Sequence, residues 1–430
     1  MSARFGTAPA DLEVAAPARG ERTRLAWPVR LFVVAMFIPY QIQLGPLLMS
    51  APRFVLLVLF VPLMVRWVAG AADGVRRADV ALLLMCVWVA ISLWVVHDLA
   101  FAAEPSGIML VETMGAYLLA RVYIRDAAAF ERMVRWVFGF IVILLPFALI
   151  EALTARNVLL ELANSVMFSV DDVYKDPRWG LDRVQGPFEH PIHFGVFTGA
   201  FVALAYYVLG YGRPLMGKAW RAGIVVLTSF LSLSSGPLTA VIAQLMVIGW
   251  DRALAALRGR WTLLAVGAVV AVVLLEIASN RSVPHLFIDY FSFNARTAYN
   301  RLQIWEFGTA SIANYPMFGV GFNEWARPSW MSGSMDMFWL VPAVQNGLPA
   351  ALLLQIAVLS LFVRVVRHRP LDDRVEQYKM GFLVCLFGLY MVGWTVHLWK
   401  VMYVLFMFLL GSGAWILKTP LRAGREPGPR

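Results

Sequence analysis

The chain has 430 residues, of which 60% are hydrophobic and 15% charged, and its formal net charge is +10. This balance excludes an ordinary soluble domain and makes the lipid bilayer the main solvent of the chain. Both cysteines, Cys86 and Cys385, lie in apolar runs, so the sequence suggests neither a disulfide framework nor a zinc site. The basic residues are spread over many short loops, which argues against a nucleic-acid partner.

In chain order, residues 1–28 are rich in Ala, Pro and Arg and predict a disordered cytosolic tail. Residues 29–417 predict a single transmembrane domain, and 418–430 a second cytosolic tail. The sequence therefore predicts an all-α polytopic membrane protein with about twelve transmembrane helices. Their predicted bounds are 29–48, 53–69, 79–97, 106–124, 134–152, 190–210, 220–235, 237–250, 261–279, 338–363, 379–397 and 400–417.

The distribution of Lys and Arg predicts the orientation of the chain. With a cytosolic N-terminus, short basic segments such as 72–79 and 367–379 lie inside, as the positive-inside rule expects. Two long segments, 153–189 and 280–337, then lie on the outer face. No Gly-rich phosphate loop of the GxxxxGK[ST] type occurs, which argues against an ATP-driven pump. We expect any chemistry to take place at the outer face.

The two outer segments contain polar motifs next to apolar runs. The first ends in RVQGPFEHPIHFG (183–195), and the second contains NRLQIWEFGTASIANYPMFGVGF (300–322) and SMDMFWL (334–340). A charge that faces hydrocarbon is costly, so these side chains are expected to face a cavity or a partner. The guanidinium fork of arginine matches phosphate oxygens. Arginines in these motifs therefore suit a lipid head group that carries phosphate.

Four motifs resemble, in the same order, those of the bacterial O-antigen polymerase and O-antigen ligase superfamily. They are 183–195, SLSSGPLTAV (232–241), 300–322 and QNGLPAALLL (345–354). The resemblance implies a multi-pass glycosyltransferase of the bacterial inner membrane whose active site faces the periplasm. Such enzymes use glycans linked to undecaprenyl pyrophosphate and need neither a metal nor another cofactor.

The resemblance also implies a pyrophosphate site. Arg183 and Arg301 match the two arginines that are expected to bind the pyrophosphate and stabilise its charge as it leaves. Arg296 and Lys175 are candidates to assist them. The alternative is that Arg183 and Arg301 anchor the chain at the interface by reaching lipid head groups, and that the other two are ordinary solvated charges.

The general base is less well defined, because many ligases of this superfamily carry a His-Asn pair that SMDMFWL (334–340) lacks. Asp336 occupies roughly that place and can act as a general base. Glu189, His190 and His193 are its competitors. In the alternative interpretation, Asp336 caps a helix that starts near Met337, and His190 is only a helix N-terminal residue.

The missing histidine favours a polymerase that joins lipid-linked oligosaccharide repeat units into O-antigen, capsule or exopolysaccharide. Its partners would be the donor and acceptor glycolipids, membrane lipid and, from the resemblance alone, a copolymerase that regulates chain length. The first alternative is a ligase that transfers a finished glycan to lipid A-core or a protein. A transporter of lipid-linked glycans is the second, but transporters usually carry ionisable residues near the bilayer midplane.

Overall fold

The computed structural model describes residues 24–45, 47–279 and 295–421. This part of the chain is mostly helical, as predicted, and its two strands form one short antiparallel hairpin (Gln41–Leu44 and Leu47–Ser50). A π-helical turn (Val111–Gly115) joins α4 to α5, and a 3-10 turn (Ala414–Lys418) follows α17. The α-helices are α1 (Trp27–Ala35), α2 (Ala51–Val68), α3 (Arg77–Val96), α4 (Leu99–Leu110), α5 (Ala116–Tyr123), α6 (Ala127–Thr154), α7 (Val158–Asn164), α8 (Pro191–Gly199), α9 (Val202–Tyr207), α10 (Leu215–Phe230), α11 (Ser235–Ala253), α12 (Arg260–Ala278), α13 (Ala295–Asn314), α14 (Val341–Asn346), α15 (Leu348–Arg367), α16 (Asp373–Val392) and α17 (Val401–Ser412).

Seven helices of the described residues are long and apolar enough to cross a membrane, so the predicted count of twelve is not confirmed. They correspond to α2, α3, α6, α12, α15, α16 and α17 with its 3-10 turn. In the core, α3 packs on α15, α5 on α17, and α11 on α16, while α8 and α9 pack on α10. The chain is therefore a helical bundle of membrane type, as the composition indicates.

The prediction of a span at 29–48 is wrong. Helix α1 ends at Ala35, and the chain then forms the β-hairpin, in which Gln41 pairs with Ser50. The stretch QIQL alternates polar and apolar side chains, which is the period of a strand. The backbone N–H of Gln41 also donates to the carbonyl of Phe168, 3.1 Å away, so the hairpin is attached to the first outer segment.

Four other predicted spans do not correspond to one of these seven helices. The span at 106–124 lies in a continuous helical stretch, Leu99–Tyr123, whose π-helical turn contains buried Glu112, which accepts a hydrogen bond of 2.8 Å from Arg53 of α2. The span at 190–210 divides into α8 and α9. Helix α10 has only 16 residues, and α11 is 19 residues long but carries the buried, hydrogen-bonded Gln244. A hydropathy average over a long stretch of sequence does not detect such local features, since each depends on a few residues.

The two outer segments are partly helical. The first contains α7 and then irregular backbone up to α8, and the second contains α13 and irregular backbone up to α14. Gly319 and Gly321 have φ values of +66° and +63°, a conformation that favours glycine, where the backbone turns after Pro316. The predicted tails fall largely on 1–23 and 422–430, and part of the second outer segment on 280–294, all of which lie outside the described residues.

Candidate functional site

Two of the sequence motifs pack directly against each other. The backbone N–H of Val184 donates to the carbonyl of Leu231 at 3.0 Å, and the hydroxyl of Ser229 donates to the carbonyl of Gly195 at 2.8 Å. A Cβ atom on Gly195 would overlap the side chains of Ser232 and Pro237, so only glycine allows this approach. The motifs at 183–195 and 232–241 thus form one structural unit.

A buried carboxylate fixes the start of the first motif to α6. Glu151 is 2% exposed and accepts hydrogen bonds from the backbone N–H groups of Gln185 (2.8 Å) and Gly186 (3.0 Å). The ammonium group of Lys175 lies 2.9 Å from the same carboxylate and 3.0 Å from Asp172. Lys175 is therefore an ion-pair partner of Glu151, and it does not line the cavity that Arg183 and Arg301 share.

The arginines of the outer segments gather around the turn between α10 and α11. The guanidinium of Arg183 donates to the hydroxyl of Ser234 at 2.7 Å, and that of Arg178 donates to the carbonyl of Leu233 at 2.7 Å. Arg301, on α13, is 4% exposed and points toward Gly236 at the start of α11. Separate parts of the sequence thus bring three guanidinium groups to one place.

These arginines line a cavity of about 800 Å³. Four of the residues singled out from the sequence contribute to it, namely Arg183, Arg301, His190 and Asp336. The sequence did not single out Arg178 as a site residue, although it lies only five positions before Arg183 and in the same polar segment. The complete lining is Arg178, Arg183, His190, Ile192, Ser234, Ser235, Gly236, Tyr299, Asn300, Arg301, Gln303, Trp330, Met331, Ser332 and Asp336.

The cavity is electrostatically positive. Burial lowers the pKa of the Arg183 guanidinium to about 10, with a further lowering by Arg178 and an opposing effect of Asp176. Burial also lowers the pKa of Arg301 to about 10, while the carboxylate of Asp336 raises it and Arg178 lowers it. Both groups stay charged at neutral pH, and a bound anion would offset the cost of burying the Arg183 guanidinium.

His190 is the N-cap of α8 and lines the cavity at the same time. Its Nδ1 accepts a hydrogen bond from the backbone N–H of Ile192 at 3.1 Å, and Pro191 occupies the first helical position. Burial lowers the pKa of His190 to about 4, with smaller contributions from Arg183 and Lys175. The imidazole is therefore neutral at pH 7. Because Nδ1 accepts, the proton resides on Nε2, and His190 can donate a hydrogen bond but is poorly placed to accept a proton.

Asp336 is the one carboxylate among the described residues that line the cavity. It is half-buried, and its Oδ1 accepts a hydrogen bond of 2.9 Å from the hydroxyl of Ser334. The next helix, α14, starts only at Val341, so Asp336 does not cap a helix. It lines the same cavity as Arg301, and its charge raises the pKa of that guanidinium.

Glu189 and His193 are not among the residues that line the cavity, and the side chain of Arg296 is not described. Glu189 forms an ion pair with Lys400 and accepts a hydrogen bond from the indole N–H of Trp399 at 3.3 Å. Arg296 belongs to the first turn of α13, but its side chain lies outside the described residues. His193 is buried beside Trp399, with ring centroids 4.2 Å apart. The partners of Glu189 make it a packing residue between α8 and the start of α17.

No metal ligands come together in the part of the chain that the structure describes, where no group of three or more His, Cys, Asp or Glu residues could hold an ion. The site instead combines three guanidinium groups, hydroxyl and amide donors, one neutral imidazole and one carboxylate. Such a set suits the binding of a di-anion and a proton transfer next to it. A comparison with protein-family models finds no match for the chain, and neither does a comparison with curated proteins.

Proposed function

We propose that the protein is a membrane glycosyltransferase that polymerises oligosaccharide repeat units carried on undecaprenyl pyrophosphate. The donor pyrophosphate would bind in the 800 Å³ cavity at the outer face of the inner membrane. The proposal combines the resemblance of the four motifs with the geometry of this cavity. It needs no ATP, because the departure of the lipid pyrophosphate supplies the driving force.

The observation that carries the proposal is the meeting of Arg178, Arg183 and Arg301 at one cavity. Within the described ranges, Arg178 and Arg183 have no ion pair with a carboxylate, and their fixed hydrogen bonds go to neutral oxygens of the turn before α11. A pyrophosphate diester carries two negative charges and many acceptor oxygens, which guanidinium groups bind in forked geometry. Interfacial lipid anchoring alone does not require arginines from two separate segments to share a cavity.

The proposed reaction is a displacement at the anomeric carbon of the donor sugar. The acceptor hydroxyl oxygen forms the new glycosidic bond while the bond from the anomeric carbon to the phosphate oxygen breaks with inversion. The leaving pyrophosphate takes the bonding electron pair, and the three arginines stabilise its charge. Asp336 accepts the proton of the acceptor hydroxyl, since it is the carboxylate that lines the cavity. His190 donates a hydrogen bond through Nε2 to a phosphate or leaving-group oxygen.

The ligase of the same superfamily stays the second candidate. A polymerase and a ligase share the donor chemistry, and they differ in the acceptor. The segment SMDMFWL supplies a carboxylate where the ligase motif has histidine and asparagine, which favours the polymerase. A transporter is less well supported, because the charges of the cavity lie in the outer segments and at helix ends rather than within the seven long apolar helices.

Complementation of a deletion strain tests the proposal through the chain length of the surface or secreted glycan. Arg178→Ala, Arg183→Ala, Arg301→Ala and Asp336→Asn should each reduce polymer to single repeats, with the protein present at normal level in the membrane. Arg156→Ala is the matched control, because Arg156 is an exposed outer-face arginine paired with Glu161 outside the cavity. It should give full-length polymer.

The same experiment separates the rival functions. Loss of a ligase leaves long chains on their lipid carrier, whereas loss of a polymerase leaves single repeats. If all cavity variants give full-length polymer at normal protein levels, the arginines do not bind the donor and the proposed function is wrong. Accumulation of lipid-linked repeats inside the cell would indicate a transporter instead.

A further inference from the structure

A second cavity, of about 870 Å³, lies at the other end of α11. Helix α11 begins at Ser235, which lines the first cavity, and has 19 residues, so it spans about 28 Å at 1.5 Å per residue. The second cavity is formed by its C-terminal part, the start of α12, the end of α15 and the first turns of α16. The positive-inside pattern predicts that this end of the bundle faces the cytosol.

Four basic side chains line the second cavity, and two of them are already neutralised. Arg260 lies 2.9 Å from the carboxylate of Asp251, and Lys379 lies 2.8 Å from that of Glu376. Arg258 and Arg369 are exposed and have no ion pair within the described residues. Two uncompensated guanidinium groups thus flank one cavity.

The walls of the second cavity are apolar. They are built by Val247 of α11, Leu264 of α12, Phe362 of α15 and Leu383 of α16, among others. Helix α12 is strongly apolar, yet the part of the chain that the structure describes buries none of its residues. In a bilayer this helix is therefore covered by lipid, and the cavity beside its first turn can be entered laterally from the hydrocarbon.

We propose that the second cavity binds an anionic glycerophospholipid. Arg258 and Arg369 hold the phosphate of the head group, and the acyl chains extend along the apolar walls toward α12. Basic residues at the ends of membrane helices above an apolar groove complement this combination of an anion and a hydrocarbon chain. A free phosphate would use the arginines but not the walls, which is why the lipid is the better occupant. This site is separate from the proposed donor site and does not depend on it.

Native mass spectrometry of the full-length protein tests the lipid site. The protein is reconstituted in nanodiscs of phosphatidylglycerol and phosphatidylcholine in equal amounts, released, and scored for the retained lipid. Wild type should retain phosphatidylglycerol preferentially. Arg258→Gln and Arg369→Gln should each weaken this retention about fivefold, since one basic residue near anionic lipid contributes about that factor. Arg258→Lys and Arg369→Lys should restore most of it.

Arg213→Gln is the control, because Arg213 is an exposed arginine predicted to lie on the same face, and it does not line the cavity. It should retain lipid like wild type. Equal retention in Arg258→Gln, Arg369→Gln and Arg213→Gln would overturn the proposal, as would equal retention of the two phospholipids by wild type. Displacement of the retained lipid by millimolar inorganic phosphate would show a phosphate site rather than a lipid site, and would overturn it too.

Discussion

The carboxylate of Glu151 should control the stability of the loop that contains Arg183. Glu151→Gln keeps the shape of the side chain but removes its charge and turns one acceptor oxygen into a donor. The side chain is 2% exposed and accepts from Lys175 at 2.9 Å, Gln185 at 2.8 Å and Gly186 at 3.0 Å. The substitution therefore leaves a partly buried ammonium group without its main partner and at least one backbone N–H facing a donor.

The magnitude follows from these contacts. Breaking a buried ion pair costs about 3–5 kcal/mol. Lys175 keeps a contact of 3.0 Å to Asp172, which favours the lower end of that range. A loss of about 3 kcal/mol is about a hundredfold increase in the equilibrium constant for opening of the loop, since about 1.4 kcal/mol corresponds to a factor of ten. The loop opens while the packed helices stay folded, because the contacts that are lost lie at one end of α6.

Hydrogen exchange of the peptide that contains Gln185 and Gly186, in detergent-solubilised protein, measures this opening. Glu161→Gln is the control, since Glu161 is also a carboxylate of segment 153–189 paired with an arginine, but its side chain is 50% exposed. It should leave the exchange of the peptide unchanged. Equal exchange in the two variants would refute the view that Glu151 anchors the loop.

Three further substitutions test other parts of the fold by thermal unfolding. His190→Asn keeps a capping residue. The pKa of His190 is about 4 in the fold and about 6.5 when unfolded, so the unfolded state binds more protons. Wild type should therefore lose about 2 kcal/mol more than the variant as the pH falls from 7.5 to 5, because the other buried histidines are present in both. Gly347 has a φ of +82°, and a Cβ atom there would overlap backbone carbonyl groups, so Gly347→Ala should lower the free energy of unfolding by about 1–3 kcal/mol. A Cβ atom on Gly267 of α12 would meet no described atom within 4 Å, so Gly267→Ala should not lower it. Arg121→Met leaves the buried carboxylate of Asp79 without its arginine and should cost about 3–5 kcal/mol; a clearly smaller loss would contradict this.

The helical, membrane-type architecture followed from composition, because a long apolar run in a bilayer must satisfy its own backbone hydrogen bonds. Seven of the twelve predicted spans correspond to helices long and apolar enough to cross. The hairpin at Gln41–Ser50 was missed because a wide hydropathy window averages over its polar and apolar alternation. The π-helical turn and the end of α14 at Gly347 depend on a few residues each, and such local signals are weak in an apolar chain.

The candidate site was predictable where a motif in the sequence resembled a known one. Arg183 and Arg301 were singled out because they match two arginines of such motifs, and both line the cavity. The positions of Lys175 and Glu189 were not predictable, since their charges are neutralised by Glu151 and by Lys400, the latter 211 positions away from its partner. Pairing over such distances depends on how the helices pack, which a single sequence does not contain.

In the proposed reaction, the hydrogen bonds that the side chains of the cavity already make determine which of them accepts the proton of the acceptor hydroxyl. A general base needs a free lone pair at neutral pH, and His190 has used its lone pair on the backbone of α8. The arginines are donors only. The proton of the acceptor must therefore go to Asp336, whose Oδ1 accepts from Ser334 while its second oxygen makes no hydrogen bond to described residues.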